Sequence, residues 1–253
     1  MRVLIYGLPG AGKTYMAEKL VDYLGDRVAW FNADVVRKEA DDWDFSDEGR
    51  LRQNTRMRLL CEEAESKGKV AIADFVAPFE NARIEFNADI EIFIDTIKES
   101  KYEDTNKVFE RPRYADYIVT EQRGDIDAKL VAWLIGNTCM WNNRAPTTQM
   151  LGRFQPWHDG HQALLDRALA KHGQVFLMVR DMSTDDSNPY PAEQVIENLQ
   201  SKLVKYAGKV NLAIVPNILN ITYGRDVGYK IEQEKFDKQI EEISATKIRS
   251  EGT

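Results

Sequence analysis

Over the first 135 residues, short apolar runs alternate with longer amphipathic stretches. Val3–Tyr6, Val28–Phe31, Val70–Phe75 and Ile90–Ile94 read as buried strands. Lys13–Leu24 reads as a helix closed near Gly25, and Asp47–Lys67 as a long charged helix. The apolar positions of that second helix, Leu51, Thr55, Leu59 and Ala64, recur at helical spacing, the pattern of a core stripe. Ala128–Ile135 reads as an apolar helix. Asn137–Thr148 is polar, contains Asn142, Asn143 and Pro146, and reads as a linker. After it the alternation restarts with a strand at Met150, a helix over Gly160–Lys171, a strand over Val175–Val179, a helix over Ala192–Tyr206 and a strand over Asn211–Val215. Strands alternating with helices predict an α/β fold with parallel sheets. The expected division is a first domain over 1–136, a linker over 137–148 and a second domain over 149–253.

The 253 residues carry a net charge of −7, which argues against a general nucleic-acid backbone binder. The segment after residue 148 holds 13 basic and 14 acidic residues, so most of the acidity lies in the first part. Apolar runs fall short of the roughly 18 residues that span a bilayer, and the N-terminus has no cleavable signal pattern. Cys61 and Cys139 do not make a disulfide scaffold, and Cys61, beside Leu59 and Leu60, reads as a buried thiol. Asn220-Ile221-Thr222 is taken as a chance sequon. These observations together predict a cytoplasmic protein whose partners are small molecules, with no membrane and no nucleic-acid polymer.

Gly7-Leu8-Pro9-Gly10-Ala11-Gly12-Lys13-Thr14 fits G-x-x-x-x-G-K-S/T and sits directly after a strand, at the opening of a helix. Gly7, Gly10 and Gly12 let backbone amides curl around phosphates, and the helix N-terminus adds positive potential. Lys13 can reach the β- and γ-phosphates of ATP, and Thr14 can hold Mg²⁺. Asp34, just past the second strand, is placed at the sheet edge where ligands bind. It can act as a base on an acceptor hydroxyl and help hold the metal, and its place before Val35 equally suits a helix N-cap.

With these residues in view, positions 1–120 resemble the adenylylsulfate kinase family. Its L-D-G-D-x-V-R segment is matched by Asn32-Ala33-Asp34-Val35-Val36-Arg37. Its G-F-S-x-x-D-R-x-E-N-I-R-R segment is matched in part by residues 44–56, and its I-S-P-Y turn by Val76-Ala77-Pro78-Phe79. The resemblance implies 3′-phosphorylation of adenosine phosphosulfate with ATP, and a homodimer. It also implies that Arg37, Phe45, Arg50, Asn54 and Arg56 contact the acceptor nucleotide. Stacking on a base suits Phe45, charge suits the arginines and hydrogen bonding suits Asn54. Trp43, beside Asp42 and Asp44, is a candidate for the same region. The family's basic lid, R-D-x-K-G-L-Y-x-K-A-R, has no counterpart over Thr96–Pro112, where Lys98, Lys101, Lys107 and Arg111 are candidate substitute cations. A solvated charged loop is the more common reading of such a run.

A second constellation follows the linker, in Gly152-Arg153-Phe154-Gln155-Pro156-Trp157-His158-Asp159-Gly160-His161. His158 and His161 lie three apart at a helix start, where they can bind triphosphate and stabilise charge on a leaving pyrophosphate. Gly160 lets a nucleotide approach the backbone, and Trp157 can stack on a substrate ring. His172 reads as an exposed cap. Ile243-Ser244-Ala245-Thr246-Lys247-Ile248-Arg249 places further hydroxyls and cations at an expected helix start. Trp30, Trp133 and Trp141 read as packing residues.

Residues 149–250 resemble the nucleotidylyltransferase superfamily, with G-R-F-Q-P-x-H-x-G-H and a downstream I-S-S/G-T-x-I-R. The G-R-F-Q-P form is closest to the nicotinamide-mononucleotide adenylyltransferase branch, and Ser187-Asn188-Pro189-Tyr190-Pro191-Ala192-Glu193 resembles that branch's N-P-F/L-T-A-x-E-R. Gly224-Arg225-Asp226 resembles the G-R-D of ATP sulfurylases. The resemblance implies that His158, His161, Thr246 and Arg249 bind ATP phosphates and that Arg153 lies by the reaction centre. The leading expectation is a P-loop kinase sheet followed by a Rossmann-like nucleotidylyltransferase domain, a bifunctional ATP- and Mg²⁺-dependent kinase and adenylyltransferase. Nicotinamide nucleotide metabolism and a nucleotide-binding switch protein with one degenerate site remain open beside it.

Overall fold

Strand β1 (Arg2–Tyr6) is buried at every position, as a central parallel strand covered on both faces must be. It opens the first of two units, Met1–Ile135 and Gly136–Thr253. The structure is a computed structural model and describes residues 1–222, 224, 228, 230–241, 243 and 248.

In the first unit, α1 (Lys13–Leu24) ends at Gly25, whose positive φ of 58° lets its amide return to Val21 O. Then come β2 (Val28–Asn32), α2 (Ala33–Glu39), α3 (Asp47–Ser66) and β3 (Val70–Asp74). They are followed by α4 (Glu80–Phe86), β4 (Ile90–Ile94), α5 (Glu103–Val108), β5 (Tyr117–Val119) and α6 (Ile126–Cys139). The five strands pair in parallel in the order β2-β3-β1-β4-β5. The carboxyl ends of β1 and β3 are therefore neighbours, with Ile5 opposite Asp74. Loops from those ends meet at one edge, where open α/β sheets bind ligands.

Helix α3 starts at Ser46, whose hydroxyl accepts from Gly49 N at 3.1 Å. Its buried side is Gly49, Gln53, Asn54, Met57, Cys61 and Ala64, so of the expected stripe only Ala64 is buried. Leu59 is 54% exposed and Leu51 37%. Met57 and Cys61 instead pack with Leu4, Tyr6 and Phe86. Short elements escaped the sequence pattern: α2, α4, α5 and β5 have 7, 7, 6 and 3 residues, too few for a period to repeat.

The second unit contains β6 (Thr148–Gly152), α7 (Asp159–His172), β7 (Val175–Arg180), α8 (Ala192–Lys202), β8 (Val210–Val215) and a short α9 (Lys238–Glu241). Its strands pair in parallel in the order β6-β7-β8. On β7, buried Val175, Leu177 and Val179 alternate with half-buried residues, and α7 packs Leu165 and Ala168 inward. The stretch expected as a linker is shorter than its polarity suggests, because Asn137–Cys139 belong to α6 and Thr148 opens β6. Among the described residues, no helix is long and apolar enough to cross a membrane.

Candidate active site

Gly7 takes φ 146°, and a Cβ there would lie 2.3 Å from Ile94 O, so only glycine lets the chain leave β1 this close to β4. Gly12, at φ 104°, caps α1 in the left-handed region and aims the first amides of the helix into the loop. Between them Ala11 N donates to Leu8 O, and Thr96 Oγ1 donates to Ala11 O at 2.6 Å, tying the loop to the segment after β4.

The loop forms one wall of a cavity of about 1150 Å³. The rest of the lining comes from Asn32, α2, the 43–54 region, the 74–79 turn, Ala82 and residues 97–105. Lys13 Nζ donates to Leu8 O at 3.0 Å. Burial pulls its ammonium down to about 8, against the opposing pull of Asp74 and Asp34. Thr14 Oγ1 donates to Asp74 Oδ2 at 2.9 Å. Asp74 also accepts from Trp30 Nε1 at 2.7 Å and from Asn32 Nδ2 at 3.0 Å, and its burial raises its carboxyl above the usual range.

Asp74 and Trp30 were not singled out from the sequence. Asp74 belongs to no motif, and its only signal is an acid ending the apolar run Val70–Ala73. Trp30, expected as packing, is instead a donor to that carboxylate. Asp34 is exposed and lines the cavity as the second residue of α2. It is not the cap: Asn32 Oδ1 accepts from Asp34 N and Val35 N at 3.1 and 3.2 Å. Thr14, Asp34 and Asp74 give the cavity a hydroxyl and two carboxylates, hard oxygen donors that fit Mg²⁺. Among the described residues, no group of three or more His, Cys, Asp and Glu gathers to hold a metal.

Away from the loop, Arg37, Trp43, Phe45, Arg50 and Asn54 line the same cavity. Arg37 is buried and donates to Asp42 O and Asp44 O, both at 3.0 Å, and its guanidinium lies 4.7 Å from the Phe45 ring centroid. Phe45 and Trp43 are 52% and 51% exposed, so both offer ring surface to a planar ligand, Phe45 with one face under Arg37. Asn54 is buried and donates to Ala82 O at 3.1 Å.

Two expectations need correction. Arg56 is not in the lining; it pairs with Asp42 at 2.9 Å and bonds Gln53. Of the four lid cations, only Lys101 lines the cavity. Lys98 and Arg111 both pair with Asp95, and Lys107 lies 3.9 Å from Glu103. The lining sets Lys13, Arg37, Arg50 and Lys101 against Asp34, Asp74, Glu99 and Asp104, so its formal charges cancel.

In the second unit, His158 precedes α7 in extended conformation and His161 sits in its first turn. Their rings stack with centroids 3.7 Å apart, and Phe154 and Trp157 lie 5.1 and 5.3 Å from His161. Burial lowers both imidazoles, His161 to about 4 with His158 adding to the effect, so both rings are neutral at pH 7. The Nδ1 atoms of both are buried with no hydrogen-bond partner. Gly160 leaves room for a neighbour within the protein: a Cβ there would lie 3.1 Å from the His158 ring. Trp157 is 7% exposed and donates to Gln162, so its ring is a packing surface for His161 and is not free to stack on a substrate. Arg153 donates to Asn188 Oδ1 at 3.1 Å. Gln155 makes paired bonds with the Tyr190 backbone, at 3.0 and 3.1 Å. His172 ends α7, exposed and bonded to Thr148. Thr246, Arg249 and Arg225 lie outside the described residues.

Residues 1–115 match the family model of adenylylsulphate kinase. No curated protein matches the chain. Among solved structures, an APS kinase of Mycobacterium tuberculosis in complex with AMPPNP and APS is 19% identical, with TM-score 0.45, over 53% of this chain and 96% of that one. A hexameric APS kinase from Thiobacillus denitrificans is 23% identical, with TM-score 0.43, over 53% of this chain and 28% of that one. A shikimate kinase from Acinetobacter baumannii in complex with shikimate is 21% identical, with TM-score 0.38, over 54% of this chain and 93% of that one.

Proposed function

We propose that the chain is a bifunctional ATP-dependent enzyme. The first unit is a kinase that moves the γ-phosphate of ATP to the hydroxyl of a small nucleotide-like acceptor. Adenylylsulfate is the acceptor named by the family that residues 1–115 match. The observation that carries this reading is the single cavity joining the phosphate loop to Asp34, Arg37, Phe45 and Asn54.

Within it, the loop amides and Lys13 hold the phosphates, and in-line positioning supplies most of the catalysis. Asp34, exposed in the cavity, accepts the proton of the acceptor hydroxyl. Phe45 and Trp43 stack on the base, and Arg37 gives positive charge to its anionic group. Thr14 and Asp74, 2.9 Å apart, together with Asp34, would hold Mg²⁺, which when bound neutralises charge on the β- and γ-phosphate oxygens.

The second unit is an adenylyltransferase in this reading. The unpartnered Nδ1 atoms of His158 and His161, at the positive end of α7, support phosphate binding there. Neutral imidazoles serve as hydrogen-bond donors to phosphate oxygens. One observation favours a mononucleotide acceptor for this half. Arg153 and Gln155 bond Asn188 and Tyr190, joining the two segments that resemble one branch of the superfamily.

The test is to incubate the protein with ATP and Mg²⁺ plus adenylylsulfate, sulfate or nicotinamide mononucleotide, and to resolve the products by mass. A phosphorylated acceptor supports the kinase half, and an adenylylated product with pyrophosphate supports the other. ATP left intact with every acceptor removes both assignments.

A further inference from the structure

Arg50 is the second acceptor-side arginine of the cavity, and the structure already gives it partners. Its Nη2 donates to Asp104 Oδ2 at 2.6 Å and to Thr105 Oγ1 at 3.2 Å, and Nη1 lies 3.9 Å from Asp47. The Arg50 side chain is 10% exposed and Asp104 64% exposed. The carboxylate thus reaches in from the solvent side, on α5, and covers a guanidinium that faces the cavity. Arg37 differs. Its hydrogen-bond partners are the carbonyls of Asp42 and Asp44, and the carboxylates of Asp42 and Asp34 act on its charge only from beyond hydrogen-bond reach.

Resting on the kinase reading above, we propose that Asp104 is a specificity-determining residue that limits how many anionic groups of the acceptor find a cation. By occupying Arg50 it leaves Arg37, which has no carboxylate in its own hydrogen bonds, as the cation beside the exposed rings of Trp43 and Phe45. The acceptor class this suits is a nucleoside with at most one anionic group. A phosphosulfate, with two, has to displace Asp104 to use Arg50. Charge-assisted pairs are strong enough for that competition to register in affinity, and partial exposure keeps it moderate.

The test measures equilibrium binding of adenosine, adenosine monophosphate and adenylylsulfate to the full chain, with Mg²⁺ and a non-hydrolysable ATP analogue present. In the wild type, adenylylsulfate is expected to bind no more than about twofold tighter than the monophosphate. Asp104→Asn should tighten adenylylsulfate by about five- to tenfold relative to adenosine, and added salt should shrink that gain. Asp104→Glu should keep the wild-type ratio. In an Arg50→Gln background the Asp104→Asn change should leave the ratio unmoved, a result that a purely structural role of Asp104 would not give.

An unchanged ratio in Asp104→Asn, an equal shift for adenosine, or no binding of any of the three ligands overturns the proposal. Binding that follows the expected ratios without phosphoryl transfer leaves the charge selection standing and removes only the kinase reading.

Discussion

The phosphate loop of the first unit and the paired histidines of the second present polar groups at a helix start by different means. Around Lys13 the loop keeps its shape through backbone: Gly7 and Gly12 adopt positive φ, Gly7 against the Ile94 carbonyl and Gly12 beside open space. Around His161 the shape comes from side chains, with His158, Phe154 and Trp157 packed on the ring. Lys13 brings an ammonium, held to about 8 by burial, whereas the histidines are neutral and contribute hydrogen bonding. An ammonium, still mostly charged at pH 7, suits charge developing on a transferred γ-phosphoryl group. Neutral donors at a helix N-terminus suit binding, with the helix supplying the potential.

That contrast is broken most directly by removing each group in turn. Lys13→Ala should lower phosphoryl transfer by about three orders of magnitude, the scale of losing a cation that stabilises a phosphoryl-transfer transition state. Adenylyl transfer by the same protein should stay within about twofold. Separate mass assays of the two products read both numbers, and loss of both activities would sink the assignment of one reaction to each unit.

His161→Ala is the reciprocal change and the smaller one. A neutral donor to developing charge is worth about 10² to 10³ in rate, so pyrophosphate release should fall by that factor while phosphoryl transfer holds. An effect on the first activity as large as on the second would mean that the histidine supports the fold of the whole chain.

The two units also part in their response to acid. His161 titrates near 4 in the folded unit, against 6.5 in an unperturbed imidazole, because burial and His158 disfavour its cation. Between those values the unfolded chain binds a proton that the folded ring refuses. The stabilisation is therefore present above pH 6.5 and is lost as the pH falls toward 4. On the order of 1 kcal/mol should disappear between pH 7 and pH 5, allowing for the partial exposure of the ring. Hydrogen exchange of the β7 amides reads this in the second unit alone. His161→Phe, which keeps the aromatic packing, should flatten the dependence; an undiminished slope would assign it to another group.

What could be read from the sequence divides along physical lines. Long elements with glycine or a cap at their ends were legible: α1 was expected over Lys13–Leu24 and occupies that span. The phosphate loop was legible because its residues are consecutive. The cavity's other half was partly legible, since Arg37, Phe45 and Asn54 line it and Arg56 does not. Whether an arginine faces a ligand or a carboxylate depends on long-range pairs, such as Arg50 with Asp104, 54 positions apart. Asp74 was missed for a related reason. Its partners Thr14, Asn32 and Trp30 converge only when β3 is placed beside β1 and β2.

The clearest misreading was the face of α3, and it gives the smallest predicted effect. Leu51, Thr55 and Leu59 repeat every four residues and look like a core stripe, yet Leu59 is 54% exposed. The sheet instead receives Met57 and Cys61, both 0% exposed, two residues further round the helix from Thr55 and Leu59. Exposed apolar residues contribute little to folding, so Leu59→Ser should change stability by less than about 0.5 kcal/mol. Met57→Ala, which empties space beside Leu4, Tyr6 and Phe86, should cost about 2–5 kcal/mol. Denaturant unfolding of the two variants compares them directly. If Leu59→Ser proved as damaging as Met57→Ala, Leu59 would have to be covered in solution, and the stripe would be a real packing surface whose partner lies outside this chain's own core.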